Sequence, residues 1–113
     1  MSCASAHRQR QAEFRREAAR RGREIAERAL RQQYSTARVQ AETASERVRI
    51  AGDGLSDATR ALDISVARYQ AGEAPVTEVI DARTTLAERR AAYYQAIYDY
   101  HVALDRLRAA VGR

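Results

Sequence analysis

One apolar seam constrains what this chain can fold into. Leu30, Tyr34, Ala37, Ala41, Ala44, Val48, Ala51, Leu55, Ala58, Leu62, Ser65 and Tyr69 follow one another at alternating steps of four and three, and only Ser65 among them is not apolar. A mean spacing of 3.5 residues, held over about five heptads, is the pattern of a coiled-coil helix. Many of the seam residues are alanine, so a partner helix can approach closely. Gly52 and Gly54 flank Asp53 in mid-seam. Each glycine weakens a helix by about 1 kcal/mol. The seam keeps its phase across them, so a soft point or bend is expected there rather than a break.

Three positions past the last seam residue stands Gly72, and Pro75 is the only proline. Glycine suits a left-handed helix end. Proline suits the first turn of a following helix, where its missing N–H costs nothing. A second helix then repeats the pattern through Val79, Arg83, Leu86, Arg90, Tyr93, Ile97, Tyr100, Leu104, Leu107 and Val111, with the two arginines interrupting it near the break. A further stripe runs Ile80, Thr84, Ala87, Ala91, Tyr94, Tyr98. The expected fold class is all-α: a long antiparallel two-helix coiled-coil hairpin over residues 25–113, with helices at about 25–70 and 75–111, behind a basic N-terminal segment, 1–24, that is helical or disordered. Such helices span about 69 and 55 Å at 1.5 Å per residue. A helix with two apolar stripes needs two neighbours, and a thin hairpin buries little core per residue. The hairpin is therefore expected to oligomerise or to belong to a larger parent.

Composition removes several function classes. No run of 18 apolar residues exists, so no transmembrane helix is expected. The opening MSCASAHRQRQAEFRREAARR lacks an apolar core and does not read as a secretory signal. Cys3 is the only cysteine, so no intrachain disulfide can form. His7 and His101 have no cysteine or carboxylate at ligand spacing, so no metal or other cofactor is expected. No serine or cysteine is paired with a histidine in the manner of a nucleophile. Gly52-Asp53-Gly54 lacks the lysine and preceding strand of a phosphate loop. Nothing here reads as an enzyme. The four tyrosines Tyr93, Tyr94, Tyr98 and Tyr100 are expected to pack between helices.

The basic residues are 20 arginines and no lysine, and the whole net charge of +5 lies in residues 1–31. A basic segment can meet nucleic acid or an anionic surface. Here Glu17–Arg21, Glu24–Arg28 and Glu27–Arg31 are i, i+4 pairs with the acid leading, which favours a solvated helix. Nucleic-acid binding would gain from interleaved aromatics, and this segment offers only Phe14.

The stretch around the break carries a family resemblance. Tyr69-x-x-Gly72 precedes the turn, and Val79-Ile80-Asp81-Ala82 follows it, with Leu86 four residues on. Tyr98-x-Tyr100 and a closing Leu107-x-x-Ala110-x-Gly112 come later. This ordered set resembles the last helical hairpin of TolC-like outer-membrane efflux channels. It covers residues of about 45–112; residues 20–44 fit only as a helix, and residues 1–19 show no match. The resemblance implies a homotrimer whose helices form an α-barrel through the periplasm, below a β-barrel in the outer membrane. The hairpin tips would form the periplasmic entrance. Glu78 and Asp81 match the acidic positions that narrow it, each becoming a ring of three carboxylates under three-fold symmetry. Tyr69 and the segment Gly72, Glu73, Ala74, Pro75 and Val76 would meet a periplasmic adaptor protein, itself joined to an inner-membrane transporter. Without a family to invoke, Glu78 and Asp81 read as first-turn acids that suit the helix dipole.

No run alternates β-branched or aromatic residues with polar ones, so no strand is expected, and the chain reads as the C-terminal piece of a channel subunit. Its outer-membrane or periplasmic placement follows from the resemblance; without a leader it would stay in the cytoplasm. The alternative expectation is a soluble structural coiled coil that self-associates, which the seam alone would support.

Overall fold

A computed structural model describes residues 2–112. It contains α1, Ser2–Gln70, and α2, Val76–Val111, and no strand among the described residues. The chain divides into two units, residues 1–36 and 37–113.

The first unit is a stretch of α1 without a core. Its described residues are exposed, with Glu17 alone half-buried, and even Phe14 and Ile25 lie in solvent. Charge pairing along the helix replaces packing. Arg20 bridges Glu17 and Glu24, one turn to either side, and Arg21 also bonds Glu17. Of the three pairs expected from spacing, Glu17–Arg21 forms. Glu24 turns back to Arg20 instead of forward to Arg28, and Glu27 and Arg31 make no ion pair among the described residues.

The second unit is the helical hairpin. Every α1 seam position from Ala37 to Ser65 is buried or half-buried, with Ala37, Ala41, Ala44 and Ala58 innermost. The α2 seam differs from the one expected. Val79, Leu86, Tyr93, Tyr100 and Leu107 face inward as expected, and Ile97 and Leu104 are half-buried beside Ala96 and Ala103, whereas Arg83 and Val111 are exposed and Ala82 and Ala110, one residue earlier, take the inner place. Arg83 and Arg90 are exposed and interrupt nothing. The physical reason is close approach. An alanine seam on α1 accepts an alanine row on α2, and the bulkier residues settle along its edge. Tyr100, Leu104 and Leu107 pack against the cluster of Ala41, Ala44 and Ala103.

The mid-seam glycines belong to the same packing. α1 passes through them without interruption. A Cβ built on Gly52 would lie 3.5 Å from Tyr93 Cε1, and one on Gly54 3.6 Å from Arg89 Cδ. The ring of Tyr93 and the stem of Arg89 therefore lie over the smallest residues of α1. The tyrosines split: Tyr93 and Tyr100 pack between the helices, whereas Tyr94 and Tyr98 are exposed because they lie on the outer side of α2.

Two outcomes follow. Gly52→Ala meets only ordinary van der Waals distances, so it should stabilise the hairpin by about 0.5–1 kcal/mol through helix propensity; urea melts that show destabilisation would disprove this packing. The Arg20 and Arg21 guanidiniums hold the Glu17 carboxyl below its ordinary value of 4.5, and Arg49 does the same to Glu46. A depressed folded-state pKa means stability that is present above the ordinary carboxylate range and lost as pH falls through the lowered values. Helicity measured by circular dichroism should therefore fall on acidification below about pH 4, and high salt should blunt the effect.

Candidate functional site

The tip is built by backbone geometry first. Gly72 has φ +72°, the only positive φ among the described residues. Its N–H donates to the Tyr69 carbonyl at 3.0 Å, and the Glu73 N–H donates to the Arg68 carbonyl at 2.8 Å. These two bonds are the Schellman closure of a helix C-terminus, which satisfies carbonyls that have no partner within the helix. The chain then reaches Pro75, which stands at the N-cap of α2 (φ −73°, ψ 156°). It thus sits one residue ahead of the first turn expected from sequence. There its carbonyl accepts from the Glu78 N–H at 3.1 Å. The cap has no side-chain hydrogen bond. Proline has none to offer, so the first turn relies on its acid.

Glu78 is the side chain that joins the two helices at this end. Its Oε2 accepts from Arg68 Nη1 at 2.6 Å, across the turn. Glu78 lies in the first turn of α2 and Arg68 in the last turn of α1, so each charge also faces the favourable end of its own helix dipole. The pair is half-exposed, with 46% and 41% of the two side chains accessible. That exposure limits its worth to the range of surface ion pairs. Beside it, Val79 is buried and anchors the start of the α2 seam.

Asp81, three residues on, is placed differently. It is exposed and makes no ion pair among the described residues. The two acids expected to act together are therefore unequal: one is neutralised by its own hairpin and one is free. Position alone hid this, because Arg68 lies ten residues from Glu78 in sequence and only the turn brings them together. Spacing along one helix cannot show such a pair.

Around the turn, Tyr69 and Val76 are each about half exposed (48% and 47%). Gly72, Glu73 and Pro75 are exposed, and Ala74 is half-buried. The tip thus offers two apolar side chains beside a rigid turn and one free acid on Glu73. The second apolar stripe of α2 remains uncovered: Ile80, Tyr94 and Tyr98 are exposed, as are Thr84, Ala87 and Ala91. No group of histidine, cysteine and acidic residues among the described residues could hold a metal ion. No helix is long and apolar enough to cross a membrane, among the described residues.

A family model described as "Outer membrane efflux protein" matches residues 4–113. It reaches back through residues 4–19, which the tip motifs left unmatched. No curated protein and no solved structure matches the chain.

The tip geometry sets two measurable expectations. Gly72→Ala should cost about 1–2 kcal/mol, since a Cβ is disfavoured at positive φ, although nothing lies within 4 Å of the site to clash with it. A double-mutant cycle on Arg68→Ala and Glu78→Ala should give a coupling of about 0.2–1 kcal/mol that shrinks in high salt. Zero coupling at low salt would remove the cross-tip bond as a feature of the solution state.

Proposed function

The chain belongs to the outer membrane efflux protein family, and we propose that it supplies the entrance hairpin of an efflux channel. At the family level the role is export through a channel and not enzymatic turnover. In this reading the turn at Tyr69 and Gly72–Val76 docks a periplasmic adaptor, and a transporter in the inner membrane supplies the cargo. Three subunits set their tips around one axis. The exposed stripe along Ile80, Ala87 and Tyr94 is covered by neighbouring helices in that assembly, which accounts for apolar surface that one hairpin leaves in water.

The observation that carries the proposal furthest is the inequality of the two acids. Repeated by symmetry, a free Asp81 makes a ring of negative charge that attracts cations and resists closure by self-repulsion. Glu78 has a different part. Bound to Arg68, it contributes little net charge to a pore and instead fixes the angle at which the two helices meet the turn. The entrance would then open by small shifts of packed helices, with no bond chemistry. A soluble structural coiled coil remains the second reading, and the same uncovered stripe supports it, because either assembly would cover that surface.

Planar-bilayer recordings on channels whose subunits carry this hairpin test the proposal. Asp81→Asn should reduce cation over anion selectivity, whereas Glu78→Gln should change it less and mainly loosen the tip. Unchanged selectivity in Asp81→Asn would refute the charged ring. A larger effect from Glu78 than from Asp81 would refute the division of labour.

A further inference from the structure

Gly52 and Gly54 stand in the middle of a long helix whose packing does not require them. A Cβ on Gly52 would lie 3.5 Å from Tyr93 Cε1 and one on Gly54 3.6 Å from Arg89 Cδ, ordinary contact distances that alanine would accept. Neither has a positive φ, which belongs to Gly72 alone among the described residues. Two glycines inside a helix weaken it relative to two alanines. What they supply here is neither space nor a left-handed turn, and backbone freedom remains.

The core is thinnest at the same level. On α1 no residue between Ala44 and Ala58 is buried, and on α2 none between Val79 and Ala103. The buried residues of the hairpin thus fall into two groups, Ala37, Ala41, Ala44 and Ala103 away from the tip, and Ala58 and Val79 toward it. The inner row of α2 is interrupted here as well. Positions 82, 96, 103 and 110 are alanine, and position 89, on the same seven-residue step, is an exposed arginine. An open groove of about 490 Å³ lies beside the glycines, lined by Ile50, Asp53, Asp57, Thr85 and Arg89 among others.

We propose that this level is a hinge: α1 bends at Gly52–Gly54, and the tip-side half of the hairpin swings as one body held together by Ala58 and Val79. Sharp bends in long helices fall at such residues, and a hinge is a few residues that absorb the change in φ and ψ. α2 has no glycine between Val76 and Val111 and follows by smooth curvature. The groove sets the direction, because the bend closes it. Arg89 makes no ion pair among the described residues, and closing draws its guanidinium toward the carboxylates of Asp53 and Asp57. Those acids are held only by Arg49 and Arg60 at the surface, contacts that are easily exchanged. The lever is long: a bend of about 10° displaces Gly72, about 27 Å away at 1.5 Å per residue, by about 5 Å. The hinge is a property of the hairpin itself, and its use at a channel entrance rests on the efflux reading.

Residue-resolved hydrogen exchange on the full chain tests the hinge. After correction for intrinsic rates, the amides of residues 53–58 should exchange about tenfold or more faster than those of 42–47 and 61–66. Gly52→Ala combined with Gly54→Ala should slow residues 53–58 by about tenfold or more and leave both flanks nearly unchanged. Equal protection from 42 to 66, or a slowing spread evenly over both helices, would overturn the proposal. In planar bilayers, channels whose subunits carry the two alanines should open several-fold less often with the same cation selectivity. Unchanged opening beside the local exchange effect would remove the hinge from the entrance. Selectivity reads Asp81 and opening frequency reads the hinge, so either can fail without the other.

Discussion

The hairpin rests on close approach between two helices whose facing residues are mostly small. Ala37, Ala41, Ala44 and Ala58 on α1 meet a row on α2 that includes Ala82, Ala96, Ala103 and Ala110. Small facing residues permit a short interaxial distance, and that distance determines the rest. It presses Tyr93 and the Arg89 stem onto Gly52 and Gly54. It also means that little apolar area is buried by each residue, so large side chains such as Tyr94 and Tyr98 are left in water. The hairpin is well specified and incompletely buried at once.

The tip follows a different logic, because no core reaches it beyond Val79. Its conformation is fixed by backbone hydrogen bonds from Gly72 and Glu73 and by the fixed φ of Pro75. The Arg68–Glu78 bond adds a modest charged clasp between the last turn of one helix and the first turn of the next. A turn held by backbone geometry can keep its shape while the helices behind it shift. The residues with least structural duty there are Asp81 and the exposed faces of Tyr69 and Val76.

Much of this was legible in the chain itself. The α1 seam is legible from Ala37 to Ser65 because one register is clearly more apolar than any other. On α2 two registers overlap: Ile97 and Leu104 share the interface with Ala96 and Ala103, while apolarity alone does not show that Ala82 and Ala110 turn inward and Arg83 and Val111 outward. Nothing in a hydropathy pattern rewards alanine over leucine; only the facing helix does. The same limit applies to the two acids. Their shared helix face was visible, but the difference between them was not, because Arg68 belongs to the other helix. The salt bridges of the first unit show the point on a small scale: spacing allowed Glu24 to pair forward or backward, and the actual rotamers chose backward to Arg20.

The sequence by itself determined that this protein is two helices with a turn at Gly72–Pro75, since a 3.5-residue period, a left-handed glycine and a lone proline are local signals. It also carried the ordered tip residues by which the family is recognised. Tertiary structure alone decided which α2 residues beside Val79, Leu86, Tyr93, Tyr100 and Leu107 face inward, and that Glu78 is paired while Asp81 is free. The reason is the same in each case. These properties depend on the distance and rotation between two helices, and the packing of small side chains fixes both.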